Sequence, residues 1–322
     1  MYPFKFQPIL KQTIWGGERI IPFKHLRSDL HQVGESWEIS NVPGNESVVT
    51  NGSLAGKTIT QLVRTFKEEL VGESNYKRFG DNFPLLIKFI DAKEDLSIQV
   101  HPDDELAQKR HNSLGKSEMW YVIDAAPGAR LLSGLNQQIT PNEYKERVKK
   151  STITEVLQSH EVKPGDVFYL PAGRIHAIGA GIFLAEIQET SNVTYRIYDY
   201  NRHDANGNPR ELHTELAKDA IDYELYDDYN VSYDSIPNEP VELLATPHFT
   251  TSLYDMDEEL SCDYSELDSF IIFICLEGKA VLSDDQENEI TISAGETVLF
   301  PAITEEVTIM PEDKVKILET YV

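Results

Sequence analysis

Apolar and polar positions in this chain alternate in short runs more often than they recur at helical spacing. Between 96 and 101, Leu96, Ile98 and Val100 alternate with Ser97, Gln99 and His101, the period of a strand with one buried face. Ser97, Gln99 and His101 therefore share a face. The stretch before it, opening FPLLIKFID at 83, is apolar enough for a buried strand. Residues 117 to 133 predict strands around a Pro127-Gly128 turn, and 161 to 200 predict more, with turns at Pro164-Gly165, Pro171-Ala172-Gly173 and Gly179-Ala180-Gly181. Residues 1 to 55 read as short strands and turns, and everything from 243 onward as short strands.

Helical spacing is confined to a few segments. In 58 to 70, Ile59, Leu62, Val63, Phe66 and Leu70 fall on one stripe, with Thr58 or Thr60 as cap. Thr140 and Pro141 open a helical stretch running to about Gln158, and Leu212, Leu216, Ala217 and Ala220 form the apolar side of a helix over 211 to 223. Asp103 and Asp104 after Pro102 start a short helix. The segment 222 to 240, rich in Asp, Tyr, Pro and Asn, reads as a linker or crossover. The turn segments PGDVFYLPA, 164 to 172, and AGETVLFPA, 294 to 302, match in spacing, which suggests two related barrels. The expectation is a mainly β chain with helical insertions in two domains, 1–237 and 238–322.

Charge narrows the function classes. Twenty-nine Lys and Arg against 54 Asp and Glu leave −25, which argues against binding nucleic acid or anionic membranes. A phosphorylated small molecule stays open, because a few cations suffice for a local pocket. Two cysteines, Cys262 and Cys275, make no disulfide framework and read as buried thiols of a reducing compartment. With no secretory signal and no run of about 20 apolar residues, the expected location is the cytoplasm.

The candidate chemistry is a metal site. His101 lies on the polar strand face, Glu118 on the following strand, and His176 ends GDVFYLPAGRIHAI, 165 to 178. Three N and O donors from separate strands suit Zn²⁺, Fe²⁺, Mn²⁺ or Co²⁺ and leave positions open for substrate or water. Gln99 is either a further ligand or a hydrogen-bond partner of metal-bound water. The other histidines, His25, His31, His111, His160, His203, His213 and His248, have no comparable frame.

The spacing Gly165, Pro171, Gly173, His176 resembles the second motif of the cupin superfamily. Where the first cupin motif carries His-x-His, this chain has Gln99-Val100-His101. That departure points to the type I phosphomannose isomerases, in their short Bacillus-like branch. TIWGG at 13–17, GESWEIS at 34–40, LSIQVHPDDELA at 96–107, GKSEMWYV at 115–122 and FLAEIQETSNVTYRIYDYNR at 183–202 resemble that family, over roughly residues 1 to 320. The resemblance implies a double-domain cupin of jelly-roll β-barrels, the second degenerate because no histidine follows Pro301-Ala302. It implies one zinc per chain, other divalent metals remaining open, held by His101, Glu118 and His176 with Gln99 as a fourth ligand. It implies interconversion of mannose 6-phosphate and fructose 6-phosphate through a cis-enediol.

By the same resemblance, Arg196 and Lys116 are catalytic, Arg196 gripping phosphate or enediolate oxygens and Lys116 binding substrate oxygen or assisting proton transfer. Ser97 resembles a phosphate-contacting serine; Lys88 adds charge near the pocket mouth, and Gln99 faces the substrate. The base is open among Glu186, Asp199 and His101, and Trp15 and Trp37 are either sugar-stacking walls or core anchors. Two other readings stand beside this one: a cupin enzyme of another reaction class, and a non-catalytic sugar-phosphate-binding cupin. Either a monomer or a homodimer fits.

Overall fold

The computed structural model describes residues 1–203 and 207–322. Four β-sheets organise the described residues. In the first, strands Ile9–Gly17, Val33–Ile39, Leu85–Asp91, Ile182–Glu189, Glu118–Ala125, Val167–Leu170 and Asn230–Val231 lie side by side in that order. Facing it is a five-stranded sheet ordered Tyr195–Tyr198, Ile98–Val100, His176–Ala177, Arg130–Leu135 and Leu157–Glu161. Strands from 241 to 321 form two further sheets of five and four strands.

The expected jelly-roll barrels are not formed: among the described residues no sheet closes on itself. The seven-stranded sheet ends in two different edge strands, Ile9–Gly17 and Asn230–Val231, which do not pair with each other. The sheets instead stack face to face, and side chains between them form the core. Mainly β with helical insertions stands; barrel closure does not.

Burial follows the strand period. In Leu85–Asp91, Leu85, Ile87 and Phe89 point into a core shared with Ile272, Ile274 and Leu318 of the C-terminal strands. On the other face, Ile90 joins Trp120, Phe168 and Leu184 between the first two sheets. A strand covered on both faces needs apolar residues at nearly every position, which explains the run LLIKFI. Ile98, Val100, Ala177, Tyr195 and Ile197 turn away from the first sheet and pack under Tyr144, Val148 and Ala217, from helices Pro141–Lys149 and Thr214–Ala220. The alternate residues are left for the space between the sheets.

The helices are shorter than their spacing suggests. Thr58 caps Ile59–Phe66 in a reciprocal box with Gln61, but the helix stops before Lys67, at φ +48°, and a separate turn continues over Glu68–Val71. Thr140 does the same with Glu143, and that helix ends at Lys149, followed by a 3₁₀ turn at Ile153–Val156. Helix Glu73–Phe79 was not expected from spacing. No helix among the described residues is long and apolar enough to cross a membrane.

Candidate metal centre and active-site cavity

Strand registers place the candidate residues in two facing rows. Across the five-stranded sheet, Arg196 pairs with Gln99 and Gln99 with His176. Across the seven-stranded sheet, Lys88 pairs with Glu186 and Glu186 with Trp120. The rows meet between the sheets, where the His176 and Trp120 rings stand edge to face, 5.3 Å between centroids.

His101 Nε2 lies 3.5 Å from Glu118 Oε2, and His176 Nε2 lies 3.2 Å from Glu118 Oε1. All three residues are buried, and their donor atoms lie within 4.8 Å of one another. Tetrahedral ligands at about 2.0 to 2.1 Å from a zinc ion stand about 3.3 Å apart, the separation of these pairs. His101 Nδ1 donates to the Val193 carbonyl and His176 Nδ1 to the Arg174 carbonyl, both at 2.9 Å. Each bond turns the Nε2 lone pair toward the centre, as metal-bound imidazoles require. The turn is fixed at Gly173, whose φ of +91° favours glycine and whose N–H donates to the His101 carbonyl at 2.9 Å.

Both Glu118 oxygens are buried without a directed hydrogen bond. Lys116 Nζ sits 2.7 Å from Oε2 and 3.0 Å from His101 Nε2, so the ammonium balances the carboxylate charge, while Oε1 faces the His176 ring. Burial first, and then the Glu186 carboxylate, push the Glu118 carboxyl above the usual range. Burial and the Lys116 ammonium push both histidines down, His176 to about 3. Neutral imidazoles and a carboxyl in need of a cation are the donor set of a divalent metal. Gln99 Nε2 lies 3.3 Å from His176 Nε2; turning the amide over presents Oε1 instead.

Beside this centre is a cavity of about 330 Å³. Its walls include Ser97, Gln99, Lys116, Lys88, Glu186 and Arg196, so Gln99 and Lys116 belong to both cavity and centre. Lys88 is less a free cation at the mouth than expected: its Nζ donates to Glu186 Oε1 at 2.8 Å, and Trp120 Nε1 donates to Oε2 at 2.9 Å. Burial alone would raise the Glu186 carboxyl, but Lys88 and then Lys116 outweigh it and hold it below its ordinary value. Arg196 donates to the Glu211 carbonyl at 3.0 Å while its Nε is buried without a partner.

Trp15 lines the cavity, whereas Trp37 packs over Lys88, 5.3 Å from ring to Nζ, and is not part of the wall. Asp199 is outside the wall too, gripped by Arg210 at 2.7 and 2.5 Å and by Arg202 at 2.6 Å. Arg210, Asn192 and Thr194 do line the cavity and were not singled out by sequence. Arg210 sits in a polar stretch, RHDANGNPRE at 202–211, with no periodicity to aim it.

The family description "Phosphomannose isomerase type I, catalytic domain" matches residues 3–155. Mannose-6-phosphate isomerase ManA of Bacillus subtilis is 41% identical over 221 residues, 68% of each chain. Putative mannose-6-phosphate isomerase YvyI of the same organism is 33% identical over 309 residues, 95% of each chain. This chain belongs to the type I phosphomannose isomerases. A solved mannose 6-phosphate isomerase from Bacillus subtilis superposes over the full length of both chains with a TM-score of 0.90 at 31% identity. Within this family fold, His101, Glu118 and His176 meet where the two sheets face each other, and the cavity opens beside them.

Proposed function

We propose that this chain is a metal-dependent aldose–ketose isomerase that interconverts mannose 6-phosphate and fructose 6-phosphate, with Zn²⁺ held by His101, Glu118, His176 and the Gln99 amide oxygen. The observation that carries this reading is the cation-demanding donor triad opening onto a cavity walled by Lys88, Lys116, Arg196 and Arg210. Membership of the isomerase family supplies the reaction class. A zinc ion held by these residues would supply Lewis acidity for the developing oxyanion.

The protein's own groups do the rest. In the forward direction a base removes the proton from C2, its electron pair forms the C1–C2 double bond, and the aldehyde oxygen takes a proton, giving the cis-enediol. Returning the carbon proton to C1 while the C2 hydroxyl loses its own leaves the ketose. Glu186 is our choice of base: it is ionised, lines the cavity, and is fixed by Lys88 and Trp120. Lys116 delivers a proton to the developing enediolate, and the Arg196 fork, with Nε unused, binds its oxygens or the phosphate. Ser97 contributes a hydroxyl to the phosphate.

We place the domain division at 1–237 and 238–322, the C-terminal part supporting the first through a shared apolar core, and the protein in the cytoplasm. The test is conversion of mannose 6-phosphate to fructose 6-phosphate by purified protein before chelation, after it, and after zinc is restored. Loss on chelation and recovery with zinc is the expected result. No conversion by zinc-loaded protein overturns the proposal.

A further inference from the structure

Glu118 is the first residue of its strand, and Ser117, just before it, lies between two groups of the metal centre, Lys116 and Glu118. Residues 112–117, which follow helix Asp104–His111, form neither helix nor strand. The end of a strand frays unless something beyond the ladder holds it. Here the holder is Glu189, the last residue of strand Ile182–Glu189. Its amide donates to the Ser117 carbonyl at 3.2 Å, and its Oε2 accepts from the Ser117 amide at 2.8 Å. Ser117 Oγ in turn accepts from the Ala172 amide at 3.3 Å, in the turn that leads to His176. One buried serine thus joins the approach to Glu118 with the approach to His176.

Glu189 is itself held from the C-terminal strands. It is 5% exposed, and its other oxygen, Oε1, stands 2.8 Å from His248 Nδ1. The Glu189 carboxylate keeps the imidazole above its ordinary pKa, which favours the charged ring. His248 is fixed in turn: Thr246 Oγ1 accepts from the His248 and Phe249 amides at 3.2 and 3.1 Å, and Arg78 donates to the Pro247 carbonyl at 3.1 Å. Phe249 is buried in the core shared by both parts of the chain. Exposed Asp104 also lies beside the imidazole, and Arg78 is the opposing cation.

We propose that His248 is a positioning residue for the metal centre: its ion pair fixes the Glu189 carboxylate, and Glu189 fixes Ser117 and with it the backbone that presents Lys116 and Glu118. The proposal rests on the reading of His101, Glu118 and His176 as zinc ligands. It gives the C-terminal strands a part in the site, although none of the residues lining the cavity comes from them. Charge alone acts in the opposite direction. Deleting a positive ring favours a nearby divalent cation, whereas loosening the entry to the Glu118 strand weakens its binding.

The experiment is the zinc affinity of the purified full chain, read by competition with a chromophoric chelator well below the melting temperature of each variant, where a mere loss of stability leaves Kd unmoved. In His248→Ala the zinc Kd is expected to rise about tenfold, as when a group that supports a metal ligand is removed. His248→Lys, which returns a cation to Glu189, is expected to restore most of the affinity. An unchanged or lower Kd in H248A overturns the proposal, and so does a loss that H248K does not restore. His176→Ala separates this proposal from the reading beneath it. Zinc affinity that survives H176A sinks the metal centre itself, whereas affinity lost in H176A and kept in H248A sinks only the role given to His248.

Discussion

The triad makes zinc binding a measurable part of folding stability. In the unfolded chain His101, Glu118 and His176 are far apart, so zinc bound at this centre stabilises the fold by RT ln(1 + [Zn]/Kd), about 2.7 kcal/mol at 100 Kd and about 4.1 kcal/mol at 1,000 Kd. An unfolding entropy of about 2.1 cal/mol/K per residue over 322 residues gives about 0.7 kcal/mol/K. The melting temperature should therefore rise about 2 °C for each tenfold increase in free zinc, reaching about 6 °C at 1,000 Kd. The assay is calorimetry at neutral pH in zinc buffers, comparing the unaltered chain with His176→Ala. His176→Ala removes one ligand from a cleft closed by Trp120, and the slope against zinc should disappear whatever happens to the metal-free stability. A melting temperature that ignores zinc, or a slope that survives in the H176A chain, would refute this account of the centre.

Other consequences are equally concrete. Lys88→Met leaves the Glu186 carboxylate buried without its cation, so urea melts should show a loss of about 3 to 5 kcal/mol, with the K88M/E186Q double variant recovering part of it. Arg196→Lys keeps the charge and loses the fork; kcat/KM for mannose 6-phosphate should fall at least about tenfold, equal to about 1.4 kcal/mol, and an unchanged value would remove Arg196 from substrate binding. Burial alone would raise the Asp199 carboxyl, but hydrogen bonds from Arg210 and Arg202 hold it below its ordinary value. Its stabilising effect is thus present above about pH 4 and lost as pH falls through the lower folded value. The melting-temperature gap between the unaltered chain and D199N should narrow across that acid range; a gap that widens on acidification contradicts the assignment.

Local patterning singled out residues that the structure brings together as a candidate metal centre. Period-two alternation put Gln99 and His101 on one face, the turn around Gly173 set His176 apart from other histidines, and the charge balance argued against nucleic acid and anionic membranes as partners. Caps were legible as well, because Thr58 with Gln61 and Thr140 with Glu143 are contacts within four residues. Decisions taken across long separations were not. Whether a sheet closes or stays open depends on which edge strands meet, and nothing in Ile9–Gly17 announces that it will not pair with Asn230–Val231. The same limit hid the state of Lys88, neutralised by a residue 98 positions away, the diversion of Asp199 to two arginines, and the arrival of Arg210 in the cavity wall. It also hid the meeting of His248 with Asp104 and Glu189. Sequence alone determined the residue types, their faces and their local turns, because these follow from backbone period and neighbouring hydrogen bonds. Only the tertiary structure decided which faces meet and which charges are already paired, because those follow from how the sheets stack.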